Sequence, residues 1–184
     1  MAKNDKMRQG GYVDENLISR IAAGEKQALE TLYMETKTAV YGFVLSIVRN
    51  PHTAEDIMQE TYVKIYVSAE GYEPRGKPMA WILTIARNLS MMKLREKSSK
   101  HISLEQDWSD AKSDDGVERS LDRIVLETAM NILSEDERQI ITLHDVAGMK
   151  HREISKILQI PLPTVLSKYR RTLSKLKEHI KEDA

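Results

Sequence analysis

Arg170 and Arg171 stand together near the end of the chain, with Lys168 two residues before them and Lys175 four residues after. An arginine fork on a guanine edge contributes roughly 1–3 kcal/mol of discrimination, and lysines nearby suit phosphates, so this grouping has the chemistry of nucleic-acid recognition. At 3.6 residues per turn, Val165, Tyr169, Thr172, Leu173 and Leu176 fall on one face, which is expected to be buried. Ser167, Arg170, Arg171 and Ser174 fall opposite. Thr164 and Lys168 lie on the flank near the helix start, where backbone N–H groups also meet phosphates. The same pattern fits an ordinary basic surface facing water, so charge alone leaves both readings open.

These residues need a helix that starts sharply and stands clear of its neighbour. The order of signals supplies one: a short helix from about His151 to Leu158, the turn Gln159-Ile160-Pro161-Leu162, and a helix from Pro163 to about His179, with proline at its first position. A tight turn between two helices, the second of them basic, is the arrangement that enters a major groove. Upstream, Leu121, Ile124, Val125 and Met130 mark a helix to Leu133. Ser134 with Glu137 reads as the capping box of the next, which Gly148 ends.

The first half of the chain is also helical. Leu17, Ile18 and Ile21 fit a short helix closed by Gly24, and a longer one runs from Leu29 to a stop at Asn50-Pro51. Thr53 with Asp56 is expected to cap a third helix. Gly71, Pro74, Gly76 and Pro78 then break the chain before a fourth, through Trp81 to about Lys97. On the third helix Ala54, Met58, Thr61, Tyr62 and Ile65 share a face, leaving Asp56, Gln59, Glu60 and Val63 on the other. From Ser98 to Gly116 there is serine and aspartate without apolar periodicity, which reads as a linker between two independently packed units. The fold class is therefore all-α, with domains at 12–97 and 119–181 and a flexible acidic linker at 98–118.

The 184 residues carry 28 lysines and arginines against 28 acids, a net charge of zero. That balance speaks against nucleic acid until its distribution is read. One basic block runs from Arg75 to Lys100 and another from Lys150 to Lys177, while Glu105, Asp107, Asp110, Asp114, Asp115 and Glu118 lie between them. With no cysteine, disulfides and thiolate metal sites are excluded, and a reducing interior, the cytoplasm, is the expected compartment. No segment has the length of a membrane span or the apolar core of a signal peptide, so no membrane insertion of its own is expected. No phosphate-binding glycine loop or nucleophile motif appears, and the five histidines are scattered, so neither catalysis, a cofactor nor a metal is expected.

Two sets of stretches carry a family resemblance. Glu153-Ile154-Ser155-Lys156-Ile157-Leu158, Ile160-Pro161 and Thr164-Val165-Leu166-Ser167-Lys168 resemble the C-terminal helix-turn-helix of extracytoplasmic-function RNA polymerase sigma factors of the sigma-70 superfamily. Arg49-Asn50-Pro51, Ala54 to Tyr62 and Trp81 to Asn88 resemble sigma region two. The matches cover most of the chain in the family's order, departing from it at Ser155, where alanine is common, and at Pro163, where glycine is.

The resemblance implies promoter recognition and DNA opening on core polymerase. Thr164, Leu166, Ser167, Lys168, Arg170 and Arg171 would contact the minus-thirty-five element. Asp56, Gln59, Glu60 and Val63 would dock on polymerase, carboxylates pairing with arginines around a small apolar centre. Tyr72, Arg75, Lys77, Trp81, Arg87 and Asn88 would hold the minus-ten element, since an unstacked base needs aromatic surface beside phosphate-binding cations. Trp81 also fits a core position with Ile85 and Leu89, which leaves Tyr72 and Asn88 as the better base contacts. The family further implies an anti-sigma factor as partner, and a linker threaded near the template, its acids imitating nucleic acid or forming a plain tether. A stand-alone helix-turn-helix regulator and a protein-interaction adaptor remain as alternatives.

Overall fold

Four helices built on one long central member form the N-terminal unit of the computed structural model, which describes residues 13–99 and 130–182, the side chains of the last three excepted. Helix α1 (Asn16–Ala22) buries Leu17, Ile18 and Ile21 and ends at Gly24, whose φ of 85° is open to glycine at no steric cost. Helix α2 (Lys26–Val48) contributes Leu32, Val40, Phe43, Val44 and Ile47 to the core. It stops at Arg49 in left-handed conformation.

Helix α3 (Pro51–Ser68) starts earlier than the expected Thr53–Asp56 cap. Asn50 is the capping residue, its Oδ1 accepting from the Thr53 N–H at 2.7 Å, and Pro51 takes the first helical position, where no N–H is needed. A short 3-10 turn (Ala69–Gly71) and an extended loop lead to α4 (Pro78–Ser99), so Ser98 and Ser99, expected in the linker, are still helical. The remaining linker, from residue 100, and the helix expected around Leu121 to Val125 lie outside the described residues.

On α3, Ala54, Thr61, Tyr62 and Ile65 are buried as the period required, but Ile57, not on the expected face, is buried as well and Met58 is only half-buried at its edge. The Thr36 and Tyr62 hydroxyls share a buried hydrogen bond of 2.7 Å, and the Tyr33 ring meets Tyr62 edge-on at 4.9 Å. Burial pushes the Tyr62 phenol up to about 12, so it stays a neutral hydrogen-bonding group at every working pH.

From Glu135 onward, the described residues of the second unit form three helices and a π turn, preceded by a helical end at Met130 and Asn131. Ser134 and Glu137 form the expected capping box on α5 (Glu135–Ile141). The turn Thr142–Val146 widens to π geometry before Gly148, and α6 (His151–Leu158) follows. Gln159, at φ 59°, turns the chain into α7 (Leu162–Glu182), which begins one residue before Pro163.

The two units pack on each other rather than standing apart. Helix α2 meets α5 and the π turn, and α4 meets α6. At Gly42 the two units come within side-chain reach: an added Cβ would lie 3.5 Å from Thr142 Cγ2, an ordinary van der Waals contact.

The cap assignment has a direct check in urea denaturation. Asn50→Ala removes the acceptor and is expected to cost about 1 kcal/mol. Thr53→Ala keeps the donating N–H and is expected to cost well under half of that.

Candidate functional site

Helix α7 presents the face that its period dictates, with one correction. Val165 and Thr172 are fully buried and Tyr169 and Leu176 half-buried, but Leu173 is 44% exposed. At 3.6 residues per turn Leu173 sits about 80° from Val165, whereas the other three lie within about 40° of it, so Leu173 is at the edge of the stripe. Ser167, Arg170, Arg171 and Ser174 are exposed on the opposite side, joined by Leu166. Thr164 is half-buried at the helix start.

The lysines behave differently from the arginines. Lys168 Nζ lies 2.7 Å from Asp136 and Lys175 Nζ 2.8 Å from Glu137, so both are bound to the first turn of α5. Burial alone would raise the Glu137 carboxyl, but Lys175 and the Ser134 cap together hold it below its ordinary value. These pairs lock α7 to α5, and Arg170, Arg171 and Lys177 are exposed cations of α7 with no ion pair among the described residues.

Ser155, where the family has alanine, is accommodated by a hydrogen bond. Its hydroxyl donates to the Ile160 carbonyl at 2.7 Å, closing the turn between α6 and α7. At the other end of α6, two histidines seven positions apart meet across the π turn and Gly148. The His144 and His151 rings are 4.4 Å apart, Tyr169 lies 4.5 and 4.8 Å from them, and Asp145 accepts from the Tyr169 hydroxyl at 3.3 Å. Burial, and then the neighbouring His144, hold His151 below its ordinary value. Among the described residues no group of three or more potential ligands is placed to hold a metal.

On α3, Asp56, Gln59, Glu60 and Val63 are all exposed, and Val63 at 62% leads an apolar strip through Tyr66 and Val67. That strip exceeds the single valine expected. Its signal, β-branched and aromatic residues one turn beyond Val63, was present in the sequence.

The third grouping surrounds the loop between α3 and α4. Tyr72, Arg75, Lys77 and Trp81 line one open groove of about 580 Å³. The Tyr72 and Trp81 rings pack at 4.7 Å, so Trp81 is both half-buried and a wall of the groove. Arg87 and Asn88 are not among its lining residues and lie further along α4. Glu153, Lys156 and Ile157 of α6 close the far side, and Lys77 Nζ meets Glu153 at 3.3 Å. Glu15 anchors the loop from below, a residue that no sequence pattern marked.

A helix-turn-helix with free arginines, beside a helical unit that joins an aromatic groove to cations, defines a helical DNA-binding protein of transcription. The family profile for Sigma-70 region 2 matches residues 32–100 and that for Sigma-70, region 4 matches residues 123–176. The chain is 30% identical over 169 residues to the ECF RNA polymerase sigma factor SigK of Mycobacterium ulcerans (strain Agy99), covering 88% of this chain and 90% of that one. It is 29% identical over the same length to SigK of Mycobacterium sp. (strain KMS), covering 88% and 87%.

Among solved structures the fold is similar to CnrH in complex with the cytosolic domain of CnrY, with a TM-score of 0.69 and 18% identity over 93% of this chain and 99% of that one. It is also similar to RpoE of Bartonella quintana in complex with the anti-sigma factor NepR, with a TM-score of 0.65 and 22% identity over 84% and 98%. The chain belongs to the extracytoplasmic-function sigma factors of the sigma-70 family. It is a promoter-recognising factor for bacterial RNA polymerase, and the regulator and adaptor readings are not favoured.

The histidine pair makes a pH prediction. His151 is held below its ordinary value in the folded chain, whereas the unfolded chain takes up the proton at about pH 6.5. Stability is therefore full above that pH and declines as pH falls below it. The urea midpoint is expected to drop between pH 7.5 and pH 5.5, and His151→Phe, which keeps a ring, should flatten that dependence.

Proposed function

We propose that the three groupings divide the work of promoter opening: the α3 face docks on core polymerase, the groove beside residues 72–77 holds the unpaired minus-ten strand, and α7 reads the minus-thirty-five element. The observation that carries this is the separation of free from engaged charge. Arg170 and Arg171 face solvent, while Lys168 and Lys175 serve the fold. Lys168 thus supports the reading helix more than it contacts phosphate, and base recognition rests on the arginines with Thr164, Ser167 and Leu166. Arg87 and Asn88 would meet the strand as it leaves the groove along α4.

Geometry adds a requirement. The two promoter elements are about 25 base pairs, or about 85 Å, apart. In this structure the groove touches α6, within the same unit as α7. Both elements are reached together only when the units part. With Ser98 and Ser99 in α4, a tether over residues 100–118 spans up to about 65 Å, and the units themselves supply the rest. The Lys77–Glu153 pair is largely exposed on the lysine side and contributes about 0–1 kcal/mol, so it does not oppose separation strongly.

The reading also takes an anti-sigma factor as the partner that keeps the units together, a cytoplasmic location, and action without catalysis or cofactor. The crystallised CnrH and RpoE are each in complex with a second protein, and the latter's partner is named an anti-sigma factor.

Run-off transcription with purified core polymerase and a promoter library tests the whole reading, and failure to bind core enzyme would end it. Arg171→Ala is expected to weaken upstream-element recognition about tenfold or more, the value of one bidentate contact, with core affinity within twofold. Val63→Glu should do the reverse, weakening core binding while a fork of upstream DNA is still recognised by whatever holoenzyme forms.

A further inference from the structure

The loop over residues 72–77, between the 3-10 turn and α4, has no regular structure, yet the Arg75 and Gly76 amides are not left to water. Glu15, the capping residue of α1, reaches up to it from 57 to 61 residues away in sequence. Its Oε1 accepts from the Arg75 N–H at 2.9 Å and from the Gly76 N–H at 2.9 Å, and its Oε2 lies 3.2 Å from the same Gly76 nitrogen. The Tyr72 hydroxyl donates to Oε1 at 2.6 Å. Gly76 has a φ of 66°, and successive N–H groups around such a residue form a concave nest for an anion.

We propose that Glu15 is a positioning residue for capture of the unpaired base: its carboxylate fills the nest and ties down Tyr72, so that the ring stands as a wall of the groove with Arg75 and Lys77 at the rim. This rests on reading that groove as the minus-ten site. Three donors converging on one carboxylate make charge-assisted hydrogen bonds, stronger than neutral ones. They fix three successive features of the loop at once: the Tyr72 ring plane through its hydroxyl, the backbone at Arg75, and the turn at Gly76. A ring held at one end by a hydrogen bond and braced by the tilted Trp81 ring at 4.7 Å offers a preformed surface for a base, and the ordering of the loop is complete before DNA arrives.

The electrostatics agree. The Tyr72 hydrogen bond, then the loop N–H groups working against desolvation, hold the Glu15 carboxyl below its ordinary value, and burial with the Glu15 contact raises the Tyr72 phenol. The pair therefore stays as carboxylate and neutral phenol throughout the working pH range. A carboxylate in a DNA site would ordinarily repel the strand. Here its charge is taken up by the N–H groups of the nest, while the Arg75 and Lys77 side chains, exposed at the rim and paired here with Glu73 and Glu153, would exchange those partners for phosphates.

The test uses holoenzyme and a short non-template oligonucleotide from a promoter selected by the wild-type factor, with each base in turn replaced by an abasic site. Glu15→Ala is expected to weaken oligonucleotide binding about five- to tenfold, with core affinity and upstream-duplex binding within twofold. Glu15→Gln, which keeps an acceptor oxygen, should recover part of the loss. At the captured position the abasic penalty should shrink in Glu15→Ala, because a displaced Tyr72 has less stacking to lose; such non-additivity is not expected of a merely structural residue. In a Trp108→Phe background, where Trp81 is the remaining tryptophan, its emission should shift in Glu15→Ala without DNA.

Tyr72→Ala separates the two claims. If it weakens oligonucleotide binding but Glu15→Ala does not, the positioning role is wrong and the groove stands. Should Tyr72→Ala leave binding intact, the groove is not the capture site and the inference falls with it. A Glu15→Ala effect that is additive with every abasic site, or that extends to core affinity, would show general destabilisation and also overturn the proposal.

Discussion

Helix α2 has no exposed residue from Ala39 to Val48, and that burial is the constraint on which the rest of the molecule depends. Phe43, Val40, Val44 and Leu32 are fully enclosed, and α1, α3, α4 and the second unit all lie against this one helix. Each neighbour turns its apolar face inward to do so and thereby commits its opposite face to water. The exposed strip of α3 follows from this: once Ala54, Ile57, Thr61, Tyr62 and Ile65 face α2 and α4, Asp56, Gln59, Glu60 and Val63 have nowhere else to point. Position along the helix, more than any local property of these four residues, makes them a surface.

In the second unit, ion pairs and caps settle what burial leaves open. Two of its helices are short, α5 with seven residues and α6 with eight, and these offer modest apolar area. Glu137 caps α5 and grips Lys175, Asp136 grips Lys168, and the Ser155 hydroxyl closes the turn. Because breaking a partly buried pair leaves a charge without its partner, these contacts set the direction of α7 more firmly than exposed pairs would. A helix so oriented shows its arginines consistently to one side.

The groove at the α3–α4 loop depends on both kinds of interaction. Trp81 and Met79 root α4 in the core, and the loop between is held by a single carboxylate on another helix. A loop with few apolar contacts is ordinarily the most mobile part of a unit, and anchoring its N–H groups to a side chain offsets that without burying it. The surface thus remains open to a strand while its shape is set in advance.

Much of this molecule was legible along the chain. The helices, the capping box at Ser134–Glu137, the turn at Gln159 to Leu162 and the exposed arginines of α7 all follow from period and local hydrogen bonding, which act over three or four residues. Motif order pointed to the family for the same reason, since spacing is itself a sequence property. The Asn50 cap was within reach, but Thr53 and Asp56 offered an equally regular pattern, and Pro51 at the first helical position decided between them. Only the tertiary structure brought Glu15 to Gly76, His144 to His151, Lys168 to Asp136 and Gly42 to Thr142. Those contacts join residues whose separation along the chain carries no periodic signal, and they exist because packing around α2 and α5 fixes where each helix begins and which way it points.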